Sequence, residues 1–427
     1  MLVVFIFFVI FLVFGMPVAF AIGISGFIFF VQQPFLPYTM PVQLVLSETQ
    51  NFTLLAIPMF MFAGNLLNKT GITSRLMELS SVLAGHLYGA LAQVTVVLSM
   101  LMGGVSGSAI ADSSMQARIL GPEMTKRGYD KGYSAAIIGY SALICIAIPP
   151  GIGLVLYGSI GEISIGRLFA GGIVPGLLMT IALMIAVNYT AKKKNYMPER
   201  EKFAEVKEII PTFISSIWAM LFPVILIVGL RFGLMTPSEA GAFAAVYALF
   251  IGIFVYKELT WEKFLVALRN TIFDVGMVMF LIALSSLISY GIVWERIPVL
   301  LSQFLLGISE SPQVIFFVIL IFLFFLGMII DSTVIILLLT SILVPVVSEI
   351  GIDLVHFGVV MVITCAIGLL TPPVGVAMYS VCSIMECSVG SYMRQCVPFL
   401  LALFVVIALL VLFPELVTFV PNLIFGV

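Results

Sequence analysis

A chain of 427 residues that is 62% hydrophobic and only 9% charged lies far outside the balance of a water-soluble domain. Its mean hydropathy of +1.24 and its recurrent apolar runs of ~17 to 25 residues, the length that crosses ~30 Å of hydrocarbon as helix, predict an all-α polytopic membrane protein surrounded by lipid bilayer. A net charge of −2 without a long basic tract excludes nucleic acid as a partner.

The first segment, residues 2–31, has no basic n-region and runs far past the apolar core of a cleavable signal, so it reads as a retained first helix. Further spans are expected at 52–68, 85–126 (double length), 132–158, 167–190, 211–231, 237–256, 271–293, 311–349 (double length), 353–385 and 391–413. The breaks between them are short. The one substantial polar stretch, "AKKKNYMPEREKFAEVKE" (Ala191–Glu208), reads as a solvated cytoplasmic linker joining two halves. The five cysteines, Cys145, Cys365, Cys382, Cys387 and Cys396, lack a CxxC spacing and read as core-packing thiols.

If each double-length segment returns to the side it entered from, the loops at 69–78, 118–131, 192–207 and 257–269 share one face and hold 15 of the 19 Lys and Arg. Arg167, Arg231 and Arg296 fall on the other face. The positive-inside rule then puts the basic loops and the N-terminus in the cytoplasm and the C-terminus outside. The first double segment is flanked by basic loops, the second by Glu310, Glu349 and Asp353. The two segments enter from opposite faces.

Within them, "AIADSS" (Ala109–Ser114) is echoed by "MIIDST" (Met328–Thr333), and "IPPGIGLVLY" (Ile148–Tyr157) by "TPPVGVAMY" (Thr371–Tyr379). Asp112 precedes Pro149 by 37 residues and Asp331 precedes Pro372 by 41. Equal order with opposite entry predicts an inverted-topology repeat with two re-entrant helical hairpins and two Pro-Pro-broken transmembrane helices, the usual build of a secondary transporter.

Unpaired backbone groups at a hairpin tip survive at membrane depth only when they face protein, water or ions. Gly103, Gly104 and Gly107 free the first tip's backbone and Gly327 the second. Pro149-Pro150 and Pro372-Pro373 break their helices and release the carbonyls of Ala147, Ile148, Leu370 and Thr371. Oxygen-only ligands of this kind suit Na+, one site in each half, and hairpin helices that begin at Ser108 and Ser332 offer partial positive charge to an anion between them. The candidate Na+ ligands are Gly104, Ser106, Asp112, Ile148 and Pro149 in the first half and Gly327, Asp331, Thr371 and Pro372 in the second. The candidate anion contacts are Ser106, Ser108, Gly151, Ser332, Thr333 and Gly375.

Other readings were weighed on the same residues. Gly/Ser patches also serve close helix packing, and Asp112 and Asp331 could cap hairpin helices instead of binding Na+. His86 and His356 read as interfacial packing. Trp218, Trp261 and Trp294 read as an aromatic belt, and "TPSE" (Thr236–Glu239) as a capping box. An intramembrane aspartyl protease would use two buried aspartates, but neither lies in a GxGD context. Ser106 sits in G-V-S-G rather than a nucleophile elbow, and no Walker A sequence occurs. No enzymatic activity is expected.

The segments "GGVSGSAIADSS", "GPEMTKRGYDKGYSAA", "IPPGIGLVLYGSI", "ISIGRLFAGGIVPGLL" and "TPPVGVAMY" together resemble the large membrane subunit of a tripartite ATP-independent periplasmic (TRAP) transporter over essentially the whole chain. The resemblance implies a bacterial inner-membrane permease with an elevator mechanism, in which Na+ drives uptake of an organic acid delivered by a periplasmic substrate-binding protein. It also implies a separate small four-helix membrane subunit. On this pattern residues 1–68 and 211–293 are scaffold helices and a connecting arm. Residues 85–190 (hairpin 85–126, broken helix 132–158) and 311–413 (hairpin 311–349, broken helix 353–385) form the two repeats, joined to the scaffold through 191–208. The tips correspond to Gly104–Asp112 and Gly327–Thr333, the breaks to Ile148–Gly153 and Thr371–Gly375. With no Arg near the tips, a monocarboxylate such as sialic acid is favoured, with a C4-dicarboxylate next. A stand-alone divalent-anion/Na+ symporter of the same superfamily is the alternative.

Overall fold

The computed structural model describes residues 1–426, and all regular structure among them is helical. Helices α1 (Leu2–Val13) and α2 (Val18–Gln32) come first, followed by α3 (Met40–Thr49), a 3-10 turn at Phe52–Leu55, α4 (Ala56–Leu67) and α5 (Ile72–Ala84). The first predicted hairpin contains α6 (Ala90–Gly103), α7 (Ala109–Ile119) and the short α8 (Gly121–Lys126). Its broken partner is α9 (Lys131–Ala142), α10 (Ile144–Ala147) and α11 (Ile152–Ile160). Helices α12 (Ile165–Lys193), α13 (Val206–Arg231), α14 (Pro237–Phe250, continued by a π turn), α15 (Trp261–Trp294) and α16 (Ile297–Ile308) lead to the second half. There α17 (Pro312–Gly327) and α18 (Ser332–Ile350) are followed by α19 (Leu354–Gly368), α20 (Val376–Met385), α21 (Val389–Leu412) and α22 (Glu415–Phe425).

Six of these helices are long and apolar enough to cross a membrane, and three further pairs, bent by 43° to 116°, qualify together. Local chemistry explains most boundaries. Pro149-Pro150 separates α10 from α11, and Pro372-Pro373 separates α19 from α20, because neither pair can supply the N–H groups a continuous helix needs. Thr236 and Glu239 form the expected capping box that starts α14.

The first span departs from expectation. Gly15 adopts a left-handed φ of 78° and Pro17 caps the next helix, so residues 2–31 form two helices rather than one. Met1 and Phe29 lie side by side against the bare Cα of Gly291 in α15, which makes α1 and α2 antiparallel. The Met1 nitrogen donates to Glu295 at 2.6 Å. At the other terminus Arg167 donates to the Gly426 carbonyl at 2.9 Å. Ser289 meets Ser341 and Gly161 meets Val344, which puts the end of α15 and the start of α12 at the same end of the bundle. Both termini therefore share the end that carries Arg167 and Arg296, and the expectation of termini on opposite faces is corrected. The cause is the extra reversal at Gly15–Pro17.

The opposite end holds the basic loops, tied by Arg75–Glu258 at 2.7 Å, Arg127–Glu199 at 2.5 Å and Lys131–Glu386 at 3.4 Å. The stretch Ala191–Glu208 is less free there than a solvated linker. Tyr196 stacks on Tyr129 with ring centroids 4.1 Å apart, its carbonyl accepts from Gly89 N, and the Gly85 carbonyl accepts from Glu199 N and Arg200 N. Burial, the leading cause, pushes the Tyr129 phenol up to about 12. Four short helices, α3, α5, α16 and α22, occupy segments the hydropathy reading left as breaks. None exceeds 13 residues, too short for a span.

The core sits between the two halves. Tyr133, Tyr140, Tyr157, Tyr392, Phe357 and Phe399 are among its largest fully buried side chains. Of the five thiols, four are buried and none is paired in a disulfide. His356 is buried, its Nε2 2.7 Å from the Leu410 carbonyl, and His86 packs edge-on against Phe203.

Candidate functional site

The chain from Gly104 to Ser108 turns α6 back into α7 at mid-bundle. Gly107 takes a left-handed φ of 61°, and a Cβ there would lie 2.5 Å from the Pro150 carbonyl oxygen; only glycine lets the tip and the Pro-Pro break come this close. A Cβ on Gly103 would meet Ile148 at 2.6 Å. Ser108 caps α7, accepting from Ala111 N at 3.5 Å, while the Ser106 hydroxyl stays within the tip, 3.3 Å from the Ser108 carbonyl.

The second tip meets its own break in the same manner but by different bonds. Gly327 and Gly368 pack backbone to backbone, a Cβ on Gly368 falling 2.4 Å from the Gly327 carbonyl carbon. The Met328 carbonyl accepts from Val374 N at 3.0 Å and Gly375 N at 3.2 Å. Gly375 turns the chain into α20 with φ 46°.

The two aspartates differ. Asp331 caps α18, its Oδ1 accepting from Thr333 N at 2.8 Å. Asp112 is no cap. Only 1% exposed, its Oδ2 accepts from Ser99 at 3.2 Å and Gln116 at 2.8 Å, tying α6 to α7, while its Oδ1 has no partner. A cation or a proton would complete that buried carboxylate.

Both tips open onto one cavity of about 130 Å³, lined by Gly107, Ser108, Asp331, Ser332, Thr333 and Gly153 on one side and by Met61 of α4 and Val278 of α15 on the other. Ser108, Ser332 and Thr333, three of the candidate anion contacts, line this cavity together. Ser106, Gly151 and Gly375 are not among the residues that line it. Among the candidate Na+ ligands only Asp331 lines the cavity; Ile148 and Gly327 lie in the seams between tips and breaks, Gly104 faces Pro223 of α13, and Asp112 sits between α6 and α7. Of the carbonyls expected to be free, Leu370 accepts from the Tyr392 hydroxyl at 3.3 Å and Ala147 points at Gly172 of α12, where a Cβ would lie 1.9 Å away. No backbone N–H reaches the carbonyls of Ile148, Pro149 or Thr371. Carbonyl oxygens left free in this way are the ligand type that a hard cation takes.

Met61 and Val278 escaped the sequence reading because an apolar residue in an apolar helix gives no local sign of what it faces. Gly64, one turn beyond Met61, does give one. A Cβ there would sit 3.2 Å from the Val105 carbonyl, so α4 rides directly on the first tip.

Two hairpin-like turns, each packed on a helix interrupted by Pro-Pro and both lining one cavity against α4 and α15, in a bundle of membrane-crossing helices, suit a multi-pass membrane transporter. Solved transporters have this fold: the YdaH transporter of Alcanivorax borkumensis superposes with a TM-score of 0.63 at 12% identity, covering 87% of each chain. MtrF of Neisseria gonorrhoeae superposes with a TM-score of 0.59 at 12% identity over 86% of this chain and 83% of that one. Residues 5–416 match the family described as "Tripartite ATP-independent periplasmic transporter, DctM component", and the chain belongs to that family of transporter permeases.

Its relatives include the sialic acid TRAP transporter large permease protein SiaM of Vibrio cholerae, 36% identical over 96% of both chains. The 2,3-diketo-L-gulonate TRAP transporter large permease protein YiaN of Escherichia coli is 35% identical over 94% of both. The isethionate TRAP transporter permease protein DctMQ of Oleidesulfovibrio alaskensis is 33% identical over 98% of this chain and 64% of its own length.

Proposed function

We propose that this chain is the large permease of a Na+-coupled transporter that carries a small organic acid into a bacterial cell across the inner membrane. The observation that carries the reading is the single cavity shared by both tips, with hydroxyls and N–H groups but no Lys or Arg on its walls. Such walls suit one acid group on a hydroxylated substrate. The relatives' names fit that chemistry, since sialic acid, 2,3-diketo-L-gulonate and isethionate each carry one acid group and hydroxyls. Sialic acid is the first candidate and a C4-dicarboxylate the second.

In this reading α6–α7 and α17–α18 are re-entrant hairpins of an inverted-topology repeat that moves as an elevator. Helices α4, α13, α14 and α15 act as scaffold, and the basic end is cytoplasmic, which turns both termini to the periplasm. Na+ binds in the two seams between tip and break, and a small four-helix membrane subunit and a periplasmic substrate-binding protein complete the system. The cavity is smaller than the ~300 Å³ at which sites for drug-sized ligands begin. A sugar acid enters only when the tips part from α4 and α15.

The test is uptake into proteoliposomes that hold this chain and its small subunit, with the binding protein outside. Uptake should require an inward Na+ gradient and both partners. Transport that persists without Na+, or without the binding protein, rejects the reading and favours a stand-alone symporter.

A further inference from the structure

Asp274 lies in α15, a 34-residue helix of membrane-crossing length and apolarity, about one turn inside the expected span 271–293 and five residues beyond Arg269. An acid within an apolar helix of this kind is a functional hypothesis by default. Its place on the helix is informative. Ala267, Thr271, Leu281 and Ser285 form the buried stripe of α15, whereas Ile272, Phe273, Gly276, Met277 and Phe280 are exposed on its outer side. At 100° per residue Asp274 falls within the buried stripe, yet it is exposed. The side of α15 that packs against the bundle elsewhere is uncovered at that turn, which leaves Asp274 accessible beside Asn65 of α4.

This accessible position is close to the cavity. Val278, four residues on from Asp274, lines it, as does Met61, four residues before Asn65. Asn65 Nδ2 donates to Asp274 Oδ2 at 3.2 Å and to Thr271 at 3.1 Å. Because α4 runs towards the basic end and α15 starts there, the Asn65–Asp274 pair stands about one helical turn, ~5.4 Å, beyond the cavity in that direction. Among the described residues no Lys or Arg pairs with Asp274.

We infer that Asp274, oriented by Asn65, is a cation station on the scaffold, met by Na+ on its way between the cavity and the basic end. A carboxylate there attracts the co-transported cation and repels the organic acid, so the two leave by unequal interactions with the same wall. The inference rests on the Na+-coupled transport proposed above. It adds a cation contact on the stationary part of the protein, separate from the tips.

The complete system in proteoliposomes tests it, with external Na+ fixed and internal Na+ varied. Internal Na+ should inhibit uptake by the native chain. Asp274→Asn should raise the internal Na+ needed for half-inhibition about threefold or more while external half-saturation stays put; Asp274→Glu should restore it. Unchanged internal inhibition in Asp274→Asn overturns the inference, and so does an equal shift on both sides. Loss of the co-purifying small subunit in Asp274→Asn also overturns it, because the acid would then be an interface residue. If the native chain shows no Na+ dependence at all, the transport proposal fails first.

Discussion

Glu162 and Glu386 occupy the same left-handed conformation, φ 55° and 51°, in the turns that follow α11 and α20 at opposite ends of the bundle. Each stands two residues before a serine that caps the next helix, Ser164 accepting from Arg167 N and Ser388 from Ser391 N. The shared pattern Glu-x-Ser-(Ile/Val)-Gly carries the proposed repeat past the tips and breaks into the connections that follow them.

Glu162 makes no ion pair among the described residues, so the strain of its φ, ~1–2 kcal/mol for a residue with a Cβ, is uncompensated. Glu162→Gly should therefore stabilise the protein by up to about 1 kcal/mol once the added freedom of the unfolded chain is subtracted. Glu386→Gly should gain less, because it loses the exposed contact with Lys131, worth about 0.2–1 kcal/mol. Thermal unfolding in detergent ranks the two.

Gly107 and Gly128 both have positive φ, but only Gly107 has a neighbour in the way; nothing lies within 4 Å of a Cβ on Gly128. Gly107→Ala should abolish uptake by pushing the first tip off Pro150. Gly128→Ala should cost about 1–2 kcal/mol of stability and leave transport intact. Equal uptake by the two variants would mean that the contact between tip and break is dispensable.

The two aspartates should respond differently to substitution. Asp331→Asn keeps a cap and Asp331→Ala loses about 1 kcal/mol. Asp112→Ala leaves the Ser99 hydroxyl buried without its acceptor, about 1–3 kcal/mol, while Gln116 Nε2 keeps its bond to Ser99 Oγ at 2.7 Å. Na+-dependent uptake by Asp331→Asn decides whether Asp331 does more than cap: normal Na+ dependence confines it to capping.

Met61 of α4 lines the cavity opposite the tips. Met61→Ala should raise uptake of larger acids relative to smaller ones, and Met61→Trp should suppress the larger first. Competition uptake with acids of graded size measures the ratio, and an unchanged ratio in both variants removes Met61 from substrate selection.

What could be read from the sequence follows the range over which each residue acts. Gly107, the two Pro-Pro pairs and the Thr236–Glu239 box impose their conformations on adjacent residues, so their effects were visible in the string. Gly15 and Pro17 carry the same signals, yet an unbroken apolar run of helical length concealed them and inverted the expected position of the N-terminus. The far side of the cavity was illegible for another reason. Met61 and Val278 meet the tips across intervals of the chain that only packing closes, and Asp274 acquires meaning only when its helix face is seen to lie uncovered. The short helices α3 and α16 escaped because hydropathy reports spans, and these are not spans.

The backbone bonds that join Tyr196, Glu199 and Arg200 to Gly85 and Gly89 have a mechanical consequence. They staple two separate passages of the chain, the α5–α6 turn and the stretch after α12, into one double-stranded strap at the base of the first hairpin. From Arg200, the last stapled residue, to Val206 at the start of α13, the six steps of chain can extend to about 21 Å at most. That length limits how far the hairpin's base can travel from the start of α13 before the staple has to open.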